Sequence, residues 1–222
     1  MQNWFQRVLV VAAYATGMAW VESAVVVYLR VMIDRIVPYQ ADPLPIAAGL
    51  GWIEVGREAA TLLMLGTVGW LAGRTIRGRA GYALLAFGVW DICYYVFLVP
   101  MSGWPASPLD WDVLFLIPLV WWGPVLAPVL ISLLLILGGG LAAWTETRPQ
   151  PRWPHAWAWV LNGLGVALAL YTFMETAIRA LPQGEQAIRS TLPAAFDWPL
   201  FLFALALLAV PVAELAWRMR RA

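Results

Sequence analysis

Hydrophobic positions occur in six long runs that short, more polar segments separate. A hydrocarbon core of about 30 Å needs roughly 20 apolar residues in a helix that rises 1.5 Å per residue. The runs approach that length, so the pattern predicts an all-α integral membrane bundle of about six transmembrane helices, forming a single domain over residues 1–222. The predicted spans are 8–29, 52–73, 80–100, 113–137, 155–175 and 196–217.

Two connecting segments carry local signals. Residues 30–51 mix charges with prolines, which is typical of a loop. Within 101–112, Ser107 suits an N-cap, Pro108 suits the first helical position and Asp110 suits the first turn. These signals predict that a helix, the fourth span, starts here.

The fourth predicted span contains Pro118, Pro124 and Pro128. Each proline removes a backbone donor and bends a helix, leaving carbonyl groups that neighbours or water must satisfy. A bent helix either lines a cavity or is simply a static shape, and the sequence leaves both interpretations open.

Composition supports a lipid environment. The chain is 62% hydrophobic and 12% charged, with a mean hydropathy of +0.74, whereas soluble domains are about half apolar and about a quarter charged. The net charge of +1 provides no basic field for nucleic acid. The expected partners are the lipid bilayer and, within it, further copies of the chain or a hetero-complex.

The distribution of arginine predicts the orientation. All fourteen basic residues are arginines, and alternate connections between spans hold nine and four of them. Because cytoplasmic loops carry the excess of basic residues, we expect an inner-membrane protein with both termini in the cytoplasm. The richer set contains Arg7, Arg74, Arg77, Arg79, Arg148, Arg152, Arg218, Arg220 and Arg221, and the poorer set contains Arg30, Arg35, Arg179 and Arg189.

Four acidic residues fall inside the first three predicted spans. Helical rise places Glu22 and Glu58 about 9 Å below the outer surface, Glu54 one turn shallower and Asp91 near the bilayer centre. A charge at that depth costs about 2.5–3.5 kcal/mol on insertion scales. We therefore expect these carboxylates to face the interior of the bundle, with Arg57 as the one buried cation among them.

Nearby polar side chains complete the candidate site. Tyr94 and Tyr95 lie one turn after Asp91, and Ser23 lies beside Glu22, so all three are expected to donate hydrogen bonds to the acids. The candidate ligand- or ion-binding residues are Glu22, Glu54, Arg57, Glu58, Asp91, Tyr94 and Tyr95. We assign no catalytic residue.

A purely structural interpretation competes with this one. Arg57 bridging Glu54 and Glu22 would fix the register of two helices with nothing bound. A second span that began near residue 59 would instead place Glu54 and Glu58 at the interface. One guanidinium cannot neutralise four acids, however, and this surplus of negative charge favours a binding site.

Several metal chemistries are excluded by residue type. His155 is the only histidine, so one chain cannot supply bis-histidine haem ligation, and we predict neither haem nor another cofactor. No His-Glu-x-x-His zinc motif or Glu-x-x-His di-iron motif occurs. An oxygen-only site would suit a hard cation such as calcium, magnesium or manganese. Its ligands would come from Glu22, Glu54, Glu58 and Asp91.

Three functions follow, and we favour the first. The carboxylates bind or translocate a proton, a small cation or a cationic solute. Alternatively, the chain is a non-catalytic subunit of a larger membrane complex, docked through its uniformly apolar last span. The third and least favoured is an intramembrane enzyme that acts on lipid or quinone through a carboxylate pair. It is least favoured because no nucleophile accompanies the acids.

Small residues predict where helices approach closely. The second span contains Gly66, Gly69 and Gly73, and the fifth contains Gly163 and Gly165. Such residues let helix backbones approach each other in membranes.

Overall fold

The computed structural model describes residues 3–40, 50–116, 118–148, 153–184, 187–188 and 191–220. Within these ranges the chain forms six α-helices and one two-stranded antiparallel sheet. The helices are α1 (Trp4–Met32), α2 (Leu50–Ala72), α3 (Ile76–Ser102), α4 (Leu126–Trp144), α5 (Ala156–Ala180) and α6 (Trp198–Arg220), and the strands are β1 (Trp111–Phe115) and β2 (Trp121–Pro124).

The prediction of a helical membrane protein is confirmed in its coarse form. Among the described residues, five helices are long and apolar enough to cross a membrane: α1, α3, α4, α5 and α6. Helix α2 forms over the second predicted span but is not one of these five. It carries Glu54, Arg57 and Glu58 in its first half, and these charges lower its hydropathy.

Helix α3 lies at the centre of one half of the bundle. It packs against α1, α2 and α4. Helix α4 also packs against α6, and α6 packs against α5. The core on the α1 side of α3 is built from small and large apolar side chains, including Ala15, Leu65, Tyr82 and Leu85. The last helix, expected to face lipid or a partner, buries Phe201, Ala204, Pro211 and Leu215.

Glycines bring α3 and α4 into backbone contact. A Cβ atom at Gly139 would lie 2.5 Å from the Gly81 carbonyl oxygen, and one at Gly88 would lie 2.5 Å from the Ser132 carbonyl oxygen. Real Cβ atoms do not approach other atoms this closely, so only glycine permits the interface. The two helices therefore form one tightly joined unit.

The glycines expected to pack divide into two groups. A Cβ atom at Gly69 would meet Ala83 of α3, and one at Gly165 would meet Ala204 of α6. One at Gly73, in the α2–α3 turn, would meet the backbone of Arg79. Gly66 and Gly163, in contrast, have no atoms within 4 Å of such a position, so the prediction is wrong for these two residues.

The first half of the fourth predicted span is not helical, contrary to expectation. Strands β1 and β2 form an antiparallel hairpin in which Val113 pairs with Trp122, and the helix start expected at Ser107 is absent. Pro118 and Pro124 cannot donate to a helical ladder, and the aromatic and β-branched residues around them suit strands. Helix α4 begins only at Leu126, where Pro128 falls within the tolerated first turn.

Three arginine-containing segments, which belong to helices α1 to α4, meet at the end of the bundle away from the hairpin. Glu146, just after α4, accepts hydrogen bonds from the backbone N–H groups of Arg74 and Thr75, both at 2.7 Å. It also pairs with Arg7 at 3.1 Å. One carboxylate thus joins the start of α1, the α2–α3 turn and the end of α4.

Candidate functional site

A cavity of about 290 Å³ lies between α1, α2, α3, α4 and the hairpin. Its wall includes side chains from each of these elements, and from α5 it includes Phe173. All seven residues that the sequence singled out contribute to this wall: Glu22, Glu54, Arg57, Glu58, Asp91, Tyr94 and Tyr95. The structure thus brings the candidate residues to one place.

At the more accessible rim of the cavity, Arg57 joins α1 to α2. Its guanidinium forms an ion pair with Glu54, with nitrogen–oxygen distances of 2.8 and 2.9 Å, and a second ion pair with Glu22. Thr61, one turn along α2, donates a hydrogen bond of 3.2 Å to the other oxygen of Glu22. This is the bridge that the structural interpretation describes, and it accounts for two of the four acids.

Glu58 and Asp91 have a different environment. Both side chains are buried, at 7% and 8% exposure, and neither forms an ion pair with any arginine in the described part of the chain. Both oxygens of Glu58 accept from the backbone N–H of Leu116, at 3.2 Å, and Asp91 accepts from the Ser132 hydroxyl at 2.8 Å. Neutral donors therefore hold these two acids.

A buried ion pair at the cavity was not predicted from the sequence. Arg30 and Asp112, which are 8% and 1% exposed, pair at 2.8 Å, and Asp112 also accepts from the Val113 N–H at 2.9 Å. The expectation that Arg57 is the one buried cation is therefore wrong. The sequence predicts a loop at Arg30, but α1 extends to Met32. The four-residue spacing of Glu22, Val26 and Arg30 places them on one face of that helix.

Tyr94, Tyr95 and Ser23, which are expected to donate hydrogen bonds to the acids, have different neighbours in the structure. The side chain of Tyr95 lies near the Asp112 carboxylate, and Tyr94 stacks on Trp90 with ring centres 6.2 Å apart. Ser23 instead donates to the backbone carbonyls of Ala19 and Tyr94, at 2.8 and 3.0 Å. It joins α1 to α3 and does not reach the acids.

Aromatic side chains form much of the remaining wall. Phe87 and Trp90 come from α3, and Trp121 of β2 stacks in parallel on Phe173 of α5, with ring centres 6.2 Å apart. Trp90 is 6% exposed, and its indole Nε1 has no hydrogen-bond acceptor among the described residues. The indole Nε1 of Trp121 also lacks an acceptor among these residues, so the cavity combines acidic groups, aromatic faces and two buried indole N–H groups without acceptors.

The structure describes no group of three His, Cys, Asp or Glu side chains arranged to hold a metal ion, among the residues that it places. The acids of the cavity instead occupy separate places: Glu22 and Glu54 with Arg57, Asp112 with Arg30, Glu58 at Leu116 and Asp91 at Ser132.

Comparison of the chain with protein-family models, with curated proteins and with solved structures found no match.

Proposed function

We propose that this is a multi-pass protein of the cell inner membrane that binds and translocates a proton, a small cation or a cationic solute through the cavity. The observation that carries the proposal is the charge of the wall. In the part of the wall that is described, five carboxylates face three guanidinium groups. Glu58 and Asp91 are the acids that no described arginine pairs with, so they are the groups available to a positive ligand.

Energetic cost supports a binding role for these two acids. An ionised carboxylate in a membrane interior is unfavourable unless it is paired or solvated. Single hydrogen bonds from Leu116 and Ser132 offset this cost only partly. A bound proton or cation neutralises the charge, whereas a purely structural cluster would be more stable with an amide or an apolar side chain at the same position.

Orientation and the number of spans form part of the same proposal. Helix α2 crosses the membrane as a sixth span, with its charged first half facing the cavity and sheltered from lipid. The arginine-rich connections then lie in the cytoplasm with both termini, and the hairpin end of the cavity faces outward.

Flux through reconstituted protein tests the function. Proteoliposomes loaded with a pH-sensitive dye, and in parallel with sodium or potassium indicators, are given a proton or cation gradient. We expect Glu58→Gln and Asp91→Asn to reduce flux at least tenfold, while Glu175→Gln, on α5 outside the cavity, leaves flux unchanged. Unaltered flux in both cavity variants, in protein that elutes as the wild type does, would refute the proposal.

Single-cysteine labelling tests the orientation. In a Cys93→Ala background, a membrane-impermeant maleimide added to intact cells should label Ala106→Cys, beside the hairpin. Thr147→Cys, at the opposite end, should react only after the membrane is permeabilised. The reverse pattern would contradict the proposed orientation.

A further inference from the structure

We infer that the ligand of this cavity is a small organic ammonium ion that carries an apolar group and a hydrogen-bond acceptor. This inference rests on the proposed function and selects one class from the three that the proposal allows. Four properties of the cavity support it: its volume, its unpaired acids, its aromatic wall and a buried donor.

The volume exceeds what a proton or a single ion requires. One water molecule needs a cavity of only about 10–15 Å³ by a comparable measure, and this cavity has about 290 Å³. Pockets for small organic ligands start near 300 Å³. The cavity therefore has room for a small organic molecule.

The wall has the chemistry that recognises organic cations. Aromatic rings attract a cation over their faces, and quaternary ammonium groups are bound in cages of this type. Phe87, Trp90 and Trp121 line the same cavity as Glu58 and Asp91. An ammonium group with an attached apolar body satisfies the acids and the rings together, whereas a hydrated metal ion satisfies only the acids.

The buried indole of Trp90 supplies an independent observation. Its Nε1 lies in a side chain that is only 6% exposed and has no hydrogen-bond partner among the described residues, and the same lack of a partner holds for the Nε1 of Trp121 in the same wall. A buried donor without an acceptor costs free energy. An oxygen atom on a ligand that reaches one of these indoles would remove that cost, and this is why we assign an acceptor to the ligand.

The arrangement also discriminates against anions. A ligand carboxylate or phosphate would lie beside Glu58 and Asp91, while two of the three guanidinium groups in the described wall, those of Arg30 and Arg57, are already paired with acids. The site thus favours positive charge through the groups left unpaired, and the paired arginines hold the wall in place.

Two probes that differ only in charge test the inference. Choline phenyl ether carries a trimethylammonium group, an ether oxygen and a phenyl ring. In 3,3-dimethylbutyl phenyl ether a carbon atom replaces the nitrogen, so shape and acceptor are retained and the charge is removed. Isothermal titration calorimetry of the purified protein in detergent should give at least tenfold tighter binding of the cation.

Variants then locate the binding site. We expect Glu58→Gln and Asp91→Asn each to weaken binding of choline phenyl ether at least tenfold, and Glu175→Gln to leave it unchanged. Phe87→Leu, which keeps an apolar side chain but removes the aromatic face, should weaken the cation several-fold and leave the neutral ether unaffected. The comparison of the two probes on the wild-type protein needs no variant to fold.

The outcomes separate the inference from the function that it deepens. Equal affinity for the two ethers, or no binding of the cation while proton, sodium or potassium flux still depends on Glu58 and Asp91, would overturn the inference and leave the proposed function standing. Absence of both binding and flux would overturn both. Charge-selective binding that depends on the two acids would support both.

Discussion

The ion pair between Arg30 and Asp112 gives the sharpest test of how the hairpin is held. Asp112 is 1% exposed and its oxygen lies 2.8 Å from the Arg30 guanidinium, which also lies 4.3 Å from the centre of the Trp104 ring. Removing one partner of a buried pair leaves an uncompensated charge, which typically costs about 3–5 kcal/mol. The Val113 N–H remains bonded to Asp112, so we expect Arg30→Met to cost about 3 kcal/mol.

A double variant distinguishes pairing from packing. Replacing both partners by apolar residues of similar size is often neutral, so Arg30→Met with Asp112→Leu should cost about 1 kcal/mol or less, far below the sum of the single costs. Unfolding by sodium dodecyl sulfate in mixed micelles, followed by far-UV circular dichroism, measures these free energies. The matched control is Arg179→Met. Arg179 pairs with Glu175 at 2.5 Å but its side chain is 75% exposed, so the substitution should cost well under 1 kcal/mol.

Two results would refute this reasoning. If Arg30→Met cost no more than the exposed control, burial would not be what makes the pair matter. If the double variant cost the sum of the two single variants, the side chains would act independently. The coupling attributed to their contact would then be absent.

Three further predictions concern stability, measured as thermal unfolding in detergent. Gly139→Ala should destabilise the folded protein by about 1–3 kcal/mol, since overpacking shifts the backbone. Gly140→Ala should leave the stability unchanged, because the nearest atom to its Cβ position is 3.8 Å away. Equal effects of the two substitutions would contradict the close α3–α4 contact. Glu146→Ala should cost about 2–3 kcal/mol through lost hydrogen bonds to backbone N–H groups and to Arg7, and wild-type stability would show that this junction contributes little. Ser132→Ala should cost about 1–3 kcal/mol at neutral pH, because Asp91 loses its donor, and an unchanged transition would show that Asp91 is satisfied in another way.

The sequence predicts that the acids lie in one region, because that prediction depends only on the regular geometry of helices in a membrane. Helical rise relates position to depth, and the cost of charge in lipid turns polar groups inward, so Glu22, Glu58 and Asp91 could be assigned to one region without tertiary information. All three line the cavity. The same reasoning suggested the bridge from Arg57 to Glu54.

The hairpin and its ion pair could not be anticipated in the same way. Hydropathy does not distinguish an apolar strand from an apolar helix segment, so the sequence predicts a helix over residues 113–124. Polar residues end a hydropathy run, so the sequence places Arg30 and Asp112 just outside the predicted apolar spans, although α1 continues through Arg30. Partners 82 positions apart in sequence leave no local signal.

Glycine packing shows a further limit. Gly66 and Gly69 lie on one helix, and only Gly69 meets a neighbour. Which face of a helix turns inward depends on the neighbouring helices, and the spacing of small residues along one helix does not specify those neighbours. Sequence thus indicated that close contacts exist but not which glycines make them.

The glycine contacts between α3 and α4 determine which side of the cavity is rigid. Gly88 lies against the backbone at Ser132, and the Ser132 hydroxyl donates a hydrogen bond to Asp91. This side of the cavity is therefore a fixed wall, because its two helices cannot slide past each other without a steric clash. Helices α1 and α2 make few direct contacts with each other and meet at the cavity through the side chains of Glu22, Arg57 and Thr61. Under the proposed function, we therefore expect a ligand to enter and leave on the α1–α2 side, where side chains can exchange partners while the opposite wall stays still.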